Sequence, residues 1–223
     1  MNDFDDPEKV ASYAERPPRL VPGFADMQRM ALLLLSERAP EDARMLVVGA
    51  GGGLELKAFA DARPGWRFDG VDPSAEMLRL ARATLGPLSD RVRFHEGEVD
   101  AAPVGPFDGA SCLLVLHFLT IEERRRLLRD VRRRLKPGAP LVVAHHSVPG
   151  PRTARDLWLS RYAAFAIESG GDAAAAASAK EAIAARLPIL KPEEDEALLR
   201  DIGFRDVSLF YAGFTFRGWG ALA

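Results

Sequence analysis

The amino-acid sequence predicts an α/β fold built on a doubly wound, mostly parallel sheet of about seven strands. Three observations lead to this prediction. Strand-like and helix-like segments alternate through much of the chain, a glycine-rich turn joins the first strand to a helix, and the second strand ends in a carboxylate. The alternation is typical of parallel strands joined by helical crossovers. With 223 residues, 48% of them hydrophobic, the chain is large enough for one such domain.

Hydrophobic patterning places the strands. Short apolar runs bounded by turn residues indicate strands over 45–48, 68–71, 92–95, 109–116, 141–144, 207–211 and 214–219. The last two runs lie close enough in sequence to form a hairpin at the end of the sheet.

Helices are indicated by apolar residues at helical spacing and by capping residues. Ser74 can cap the helix that follows the second strand, and Thr120 with Glu123 forms a capping box. An amphipathic helix is expected before Pro40. The helices predicted by spacing alone cover 24–37, 54–62 and 193–202.

The prediction is a single domain of four parts. An N-terminal arm and helix (1–40) precede a cofactor-binding core (41–148), which is followed by an insertion (150–187) and by a last helix with C-terminal strands (193–223). The insertion contains an alanine run, and alanine is the best helix former, so this part is expected to be helical.

Charge and composition exclude several classes of protein. The net charge of -2 and the pI near 6.1 give no overall attraction to nucleic acid or to anionic membranes. Cys112, the one cysteine, excludes an intrachain disulfide and a cysteine-rich zinc site, and its apolar neighbours indicate a core thiol. The N-terminus is acidic, unlike a secretory signal, and no apolar run reaches the ~18 residues of a membrane span. We therefore expect a cytoplasmic protein with no metal and no membrane partner.

The stretch Gly49-Ala50-Gly51-Gly52-Gly53 is the strongest functional motif. Glycine lets the backbone turn tightly and approach a ligand without a Cβ in the way. Three interpretations stay open: a plain turn, a dinucleotide site and a site for S-adenosylmethionine. A dinucleotide site prefers G-x-G-x-x-G, whose third glycine would fall at Leu54. The methionine part of S-adenosylmethionine needs only a close approach of the backbone.

Two further segments favour a nucleoside-containing cofactor. Asp72 ends the second strand, where a carboxylate can accept hydrogen bonds from ribose hydroxyls, and Pro73 fixes the turn that follows. Met77 could lie on the adenine side. After the third strand, Glu98 could contact the adenine amino group while Val99 covers the ring. Each has an ordinary alternative: a helix-capping acid, a core methionine, or a solvated loop glutamate.

The ordered set of motifs resembles the class I S-adenosylmethionine-dependent methyltransferases over residues 44–147. It comprises Gly49 to Gly53, Asp72-Pro73-Ser74, Gly97-Glu98-Val99, Phe107-Asp108, Leu114 to Leu119 and Leu135-Lys136-Pro137-Gly138. The resemblance implies a Rossmann-like fold, S-adenosylmethionine as cofactor and methyl transfer. The cofactor-binding residues that it implies are Phe24, Gly49, Ala50, Gly51, Gly53, Asp72, Pro73, Met77, Glu98, Val99, Leu113, Leu114 and Val115. One departure is Val47, where many members carry an acid.

A narrower resemblance links the segments around residues 20–27 and 203–216 to the tRNA wobble-uridine carboxymethyltransferases. Those enzymes use carboxy-S-adenosylmethionine and need a cation over the extra carboxylate, for which Lys180 and Arg186 are candidates here. The same resemblance places Phe24 near the cofactor.

His117 and His146 are the candidate catalytic residues, because each follows a central strand where the cleft should open. Either could orient or deprotonate an acceptor, although a core histidine is the more common case. His145 and His146 are adjacent on a strand, so at most one should reach the cleft. The arginines of residues 124–134 mostly lie opposite the apolar face of their helix. A solvated face is therefore favoured over an RNA surface.

The insertion and the arm should shape the acceptor pocket. Their apolar and aromatic residues predict a small, partly apolar acceptor: Phe24, Met27, Trp158, Tyr162 and Phe165. Three alternatives stay open, namely a tRNA carboxymethyltransferase, an NAD-dependent oxidoreductase, and a non-catalytic binding protein on the same fold. A homodimer is allowed by the sequence, and tRNA is the less favoured partner.

Overall fold

The computed structural model describes Asp6, Val10 and residues 13–223, apart from the side chain of Arg152. Within that part, the strands are β1 (Arg44–Val48), β2 (Arg67–Asp72), β3 (Val92–Glu96), β4 (Gly109–Leu113), β5 (Pro140–His146), β6 (Arg205–Gly213) and β7 (Phe216–Leu222). The helices are α1 (Arg16–Leu20), α2 (Phe24–Ser36), α3 (Leu54–Ala62), α4 (Ala75–Leu85), α5 (Ile121–Arg134), α6 (Arg155–Glu168), α7 (Ala173–Arg186) and α8 (Pro192–Ile202). None of these helices is long and apolar enough to cross a membrane.

The seven strands form one sheet in the order β3-β2-β1-β4-β5-β7-β6. Strands β1 to β5 run parallel, and β7 pairs antiparallel with both β5 and β6. The order reverses between β1 and β4, so a crevice is expected at their carboxyl ends, where such sheets bind ligands. The predicted doubly wound sheet and its C-terminal hairpin are confirmed.

Strand β1 shows how the sheet separates two cores. Val47 belongs to the core beneath α2, α3 and α4, whereas Leu46 and Val48 belong to the core beneath α5 and α8. Successive side chains of a strand point to opposite faces, so a sheet covered on both sides needs continuous apolar runs. Cys112 is a fully buried free thiol of the second core, as predicted.

Caps predicted from the sequence are present at two helix starts. The Ser74 hydroxyl accepts a hydrogen bond from the Met77 N–H at 3.2 Å. At the start of α5, Thr120 and Glu123 form the reciprocal capping box. These contacts satisfy backbone N–H groups that have no partner within the helix.

Strand β4 is shorter than predicted, and the reason is local. It ends at Leu113 instead of residue 116, because Leu114 has a φ of 62° and leaves the extended conformation. A short 3₁₀ turn, Leu116–Phe118, follows. This turn brings His117 back against β5.

Helix α5 corrects the expectation for one arginine. Arg124 is fully buried, and its guanidinium donates to Asp195 at 3.0 Å and to the carbonyl oxygens of Leu119 and Pro188. A buried guanidinium needs such partners because desolvation of an unpaired charge is costly. The apolar pattern of the helix alone did not indicate that its first turn packs against α8.

The predicted helical insertion is a hairpin of α6 and α7. Arg155 of α6 donates to the carbonyl oxygens of Ile183 and Leu187, at 3.2 and 2.8 Å. Lys180 of α7 lies 2.8 Å from the Asp156 carboxylate. These contacts tie the two helices together beside the end of β5.

Candidate functional site

The loop between β1 and α3 is built on three left-handed glycines. Gly49, Gly51 and Gly53 have φ values of 74°, 48° and 80°. A Cβ at Gly49 would lie 2.1 Å from Val115 Cγ2, and one at Gly53 would lie 2.8 Å from Ala81 Cα. The loop therefore packs directly on the end of β4 and on α4, and only glycine fits.

Asp72 connects this loop to the next one. Its carboxylate accepts one hydrogen bond from the Gly51 N–H and another from the Ser74 N–H, both at 2.9 Å. Its carbonyl oxygen accepts from the Gly97 N–H at 3.0 Å. A carboxylate oxygen can accept more than one hydrogen bond, so the group is of the right kind to accept from ribose hydroxyls. Met77 Cε lies 3.5 Å from the position of a Cβ at Gly51.

The remaining predicted contacts on this side are less uniform. Pro73 and Glu98 are exposed, and Val99 is buried in the core beneath α5. The Ala50 N–H donates to a β2 carbonyl oxygen, which fixes the loop to the sheet. Phe24 is half-buried against the core beneath α2.

Beyond Val115, which lies on Gly49, the β4 end supplies two more of the predicted residues. Leu113 is buried, and the Leu114 N–H donates to the Ala144 carbonyl oxygen at 2.6 Å. These contacts bring the β4 end and the glycine loop together at one edge of the sheet.

Tyr13 lies on the glycine loop, a contact that the sequence did not predict. A Cβ at Gly52 would lie 2.9 Å from Tyr13 Cδ1, and one at Gly51 would lie 3.8 Å from the Tyr13 hydroxyl. Burial, with the Asp72 carboxylate nearby, raises the pKa of Tyr13 to about 12. The hydroxyl is therefore a neutral group over the loop, and no motif in the arm marks it.

Glu55, also missed, is a buried acid in the first turn of α3. Only 7% of the residue is exposed, and within the described residues its Oε1 has no hydrogen-bond partner. Burial raises the pKa of Glu55 to about 8, while the neighbouring Ser111 hydroxyl acts in the opposite direction. Acids are common in first turns of helices, so residue type and position alone do not single it out.

The two candidate catalytic histidines come together. The His146 N–H donates to His117 Nδ1 at 3.4 Å, and the ring centroids lie 4.8 Å apart. His146 Nδ1 lies 2.9 Å from the Thr215 hydroxyl oxygen. Burial, followed by the neighbouring His145, lowers the pKa of His146 to about 3. The pKa of His117 is also well below its usual value, so both rings are neutral near pH 7.

An aromatic cluster surrounds His146. Phe216 stacks on its ring at a centroid distance of 4.0 Å, and Tyr162 meets it edge-on at 5.4 Å. Trp158 and Phe165, predicted for the same pocket, instead contact Arg161 and the hairpin residue Phe214. Of the predicted aromatic residues of α6, Tyr162 is thus the one that packs on the histidines. Met27 is fully buried in the core.

His145 points to the face of the sheet opposite to that of His146, as expected for adjacent residues of one strand. Its Nε2 lies 3.1 Å from Asp195, which also pairs with Arg124, and its ring lies 5.4 Å from that of Trp219. This cluster anchors α5 and α8 to β5. The described residues contain no group of three or more histidine, cysteine or acidic side chains placed to hold a metal.

A family model described as a methyltransferase domain matches residues 46–141, from β1 to the start of β5. The matched region contains the glycine loop, Asp72 and the β4 end. Together with the fold, the match supports S-adenosylmethionine-dependent methyl transfer as the activity of this chain. The family favours S-adenosylmethionine over NAD, and the cofactor fits this methyltransferase site. The left-handed glycines turn the loop sharply beside Asp72, the Asp72 carboxylate can accept from hydroxyls, and Glu55 Oε1 has no hydrogen-bond partner among the described residues.

Curated relatives of the methyltransferase include proteins with two kinds of name. A carboxy-S-adenosyl-L-methionine synthase from Methylococcus capsulatus is 26% identical, over 98% of this chain and 93% of that protein. A trans-aconitate 2-methyltransferase from Azoarcus sp. is 32% identical, over 63% of this chain and 56% of that protein.

The fold has counterparts among solved structures. A putative O-methyltransferase from Nostoc punctiforme superposes with a TM-score of 0.71 and 19% identity, over 96% of this chain. The methyltransferase spans 59% of that longer chain. At this identity the likeness supports the fold alone.

Proposed function

We propose that this methyltransferase transfers a methyl group to an acidic oxygen of a small, partly apolar acceptor. The observation that carries the proposal is the neutral histidine pair, His117 and His146, enclosed by Tyr162 and Phe216 at the carboxyl edge of the sheet. Aromatic walls with a few polar atoms are typical of small-molecule sites.

The hydrogen bonds of the pair define what each histidine can do. His117 Nδ1 accepts from a backbone N–H, so the neutral ring carries its proton on Nε2 and can donate there. His146 Nδ1 shares a hydrogen bond with the Thr215 hydroxyl, and in the tautomer with the proton on Nδ1, His146 Nε2 accepts a hydrogen bond. The pair can therefore hold an acceptor oxygen between one donor and one acceptor.

The low pKa of His146 limits the acceptors that it can serve. A group with a pKa of about 3 is a weak base and does not take a proton from an ordinary alcohol. An acceptor that is itself acidic, such as a carboxylic acid, an enol or a phenol, needs no strong base. The Arg155 charge contributes to the lowered pKa of His146 and favours an anionic acceptor.

S-adenosylmethionine, when bound, supplies a methyl group that its sulfonium already activates. The protein must therefore align the acceptor and exclude water, more than it must move protons. Val115 lies against Gly49 of the glycine loop and is two residues before His117, so it connects the loop to the histidine pair. The insertion helices cover the histidine pair through Tyr162, which packs against His146.

An acceptor screen tests this proposal. Purified protein is incubated with S-adenosylmethionine labelled in the methyl group and with matched small carboxylic acids, phenols and amines. We expect label in methyl esters or aryl ethers, and alkali should release the label as methanol from the esters but not from the ethers. Transfer to amines alone would contradict an acidic oxygen acceptor. Absence of binding of any adenosyl cofactor in calorimetry would support the non-catalytic alternative.

A second candidate function is production or use of the carboxylated cofactor. It is favoured by the relative named carboxy-S-adenosyl-L-methionine synthase, which is similar over nearly the whole chain. The cations considered for the extra carboxylate do not support it. Lys180 is paired with Asp156 and also donates to the Ser160 hydroxyl, while Arg186 is exposed at the end of α7.

Mass spectrometry of the ligand that co-purifies with the protein separates the two candidates. Plain S-adenosylmethionine or its demethylated product supports methyl transfer. A carboxylated cofactor, or tighter binding of that form in calorimetry, supports the second candidate.

A further inference from the structure

The buried acid Glu55 has no role in holding the fold together that its contacts reveal. It is the second residue of α3, and no cationic side chain of the described residues pairs with it. Its Oε1 is enclosed without a hydrogen-bond partner. A buried carboxyl in this condition destabilises the protein, which makes it a candidate for function.

The surroundings of Glu55 place it beneath the glycine loop. The Ser111 hydroxyl of β4 is close enough to lower the pKa of Glu55, but within the described residues it is likewise enclosed without a hydrogen-bond partner of normal geometry. In the sheet, Ser111 pairs in register with Val47, two residues before Gly49. Glu55 therefore places a carboxyl group beside the part of β1 where the strand's own residue, Val47, is a buried apolar side chain.

The titratable groups around Glu55 do not compete with it near pH 7. The Tyr13 hydroxyl, on the glycine loop, has a pKa raised to about 12, first by burial. Burial also raises the pKa of the Cys112 thiol on β4. Both neighbours keep their protons at neutral pH. Glu55 itself has a pKa of about 8, so it is mostly protonated at pH 7 and close to ionising.

Glu76 shows what an acid at the same helix position does elsewhere. It is the second residue of α4, it is partly exposed, and its carboxylate forms an ion pair with Arg79 on the same helix. Its partner lies three residues away on the same helix. Glu55, one strand earlier in the chain, is enclosed and has no ion-pair partner among the described residues.

We propose that Glu55 is the acidic group that receives the positively charged amino end of the cofactor's methionine part, and that it releases its proton as the cofactor binds. The proton passes to the solvent, and the carboxylate and ammonium neutralise each other beneath the glycine loop. The inference rests on S-adenosylmethionine as the ligand and does not depend on the acceptor. Two matched charges also offset the cost of burying either alone.

Calorimetry in two buffers of different ionisation enthalpy tests the proposal. At pH 7, S-adenosylmethionine binding to the wild-type protein should release close to one proton, as expected for a group with a pKa of about 8. S-adenosylhomocysteine, which has the same ammonium but no sulfonium, should release as many. The Glu55→Gln variant should release none and bind at least tenfold more weakly.

Two further variants complete the experiment. Glu76→Gln, the control, should keep both the affinity and the proton release of the wild type. Glu55→Asp should recover part of the release, which a merely structural role for Glu55 would not explain.

Wild-type binding without proton release, or release that persists in Glu55→Gln, would overturn the proposal while leaving the cofactor assignment intact. Failure of the wild type to bind either ligand would overturn both.

Discussion

The two sides of the sheet's carboxyl edge are built from different materials. Around β1 and β2, the site is made of backbone: left-handed glycines, and N–H groups that donate to Asp72. Around β4 and β5, it is made of side chains that arrive from separate elements, with Thr215 lying 69 residues beyond His146 in the chain. We refer to these as the cofactor side and the histidine side.

The difference determines which residue types each side demands. A left-handed turn packed against a strand end accepts only glycine, so the cofactor side has a fixed sequence pattern. The histidine side needs its side chains only to meet in space. Several residue types could satisfy that requirement, so it has no short motif. Substitutions on the two sides should therefore fail in different ways.

The largest effect is expected from Gly49→Ala on the cofactor side. Its methyl group would overlap Val115 Cγ2, 2.1 Å away, in a backbone region that alanine disfavours. We expect a loss of about 2–5 kcal/mol in unfolding free energy and no measurable binding of S-adenosylmethionine. Chemical denaturation and calorimetry would measure the two effects.

Gly138→Ala is the matched control for that clash. Gly138 has a similar φ of 76°, but no atom lies within 4 Å of its Cβ position. It should lose only about 1 kcal/mol and keep its affinity. Equal losses in the two variants would mean that strain, and not contact with the β4 end, makes glycine necessary.

His146→Phe should damage the histidine side alone. It removes the hydrogen-bonding nitrogen but keeps a ring to stack on Phe216, so turnover should fall about a hundredfold. Affinity for S-adenosylmethionine should stay within about twofold. His145→Phe, on the same strand and the opposite face, should lower stability without a comparable effect on turnover. Equal loss of turnover in both would argue against a role for His146 at the acceptor.

Asp72→Asn should weaken cofactor binding about tenfold, because an amide gives poorer acceptors to Gly51, Ser74 and a ribose. Asp69→Asn, in the same strand, is the control. Asp69 pairs with Arg44 and His95, so its loss should reduce stability and leave affinity unchanged. A larger change in affinity for Asp69→Asn would place the ribose elsewhere.

The smallest effect concerns pH. The folded protein holds the Glu55 proton up to a pKa of about 8, whereas the unfolded chain loses it near the usual 4.5. The unfolded state therefore binds fewer protons between these values, and stability falls as pH rises. From pH 6 to pH 7, wild type should lose about 1 kcal/mol more than Glu55→Gln. Parallel stability curves for the two proteins would show that Glu55 already ionises in the folded state.

The cofactor side could be predicted from the sequence because it is built from contacts between residues that are close in the chain. Ser74 as a helix cap, the Thr120–Glu123 capping box and the glycine turn all act within a few residues. Such contacts depend on residue type and spacing, both of which a single sequence displays. The same logic predicted the seven strands and the helical insertion.

Long-range contacts explain what the sequence could not supply. Tyr13 reaches the glycine loop from the arm, and Arg124 is buried because α8 supplies Asp195. Glu55 differs from an ordinary first-turn acid only because β4 and the loop enclose it. Strand β4 ends just before Leu114 because that residue adopts the left-handed conformation, which leucine does not favour.

That left-handed leucine also bears on how such a protein can evolve. The register of β4 is set by its pairs with β1 and β5, all of which lie at or before Leu113. Because the strand stops there, residues can be replaced or inserted between Leu116 and Thr120 without sliding the sheet. Proteins descended from one ancestral enzyme can thus differ in their acceptors while they keep the same cofactor side.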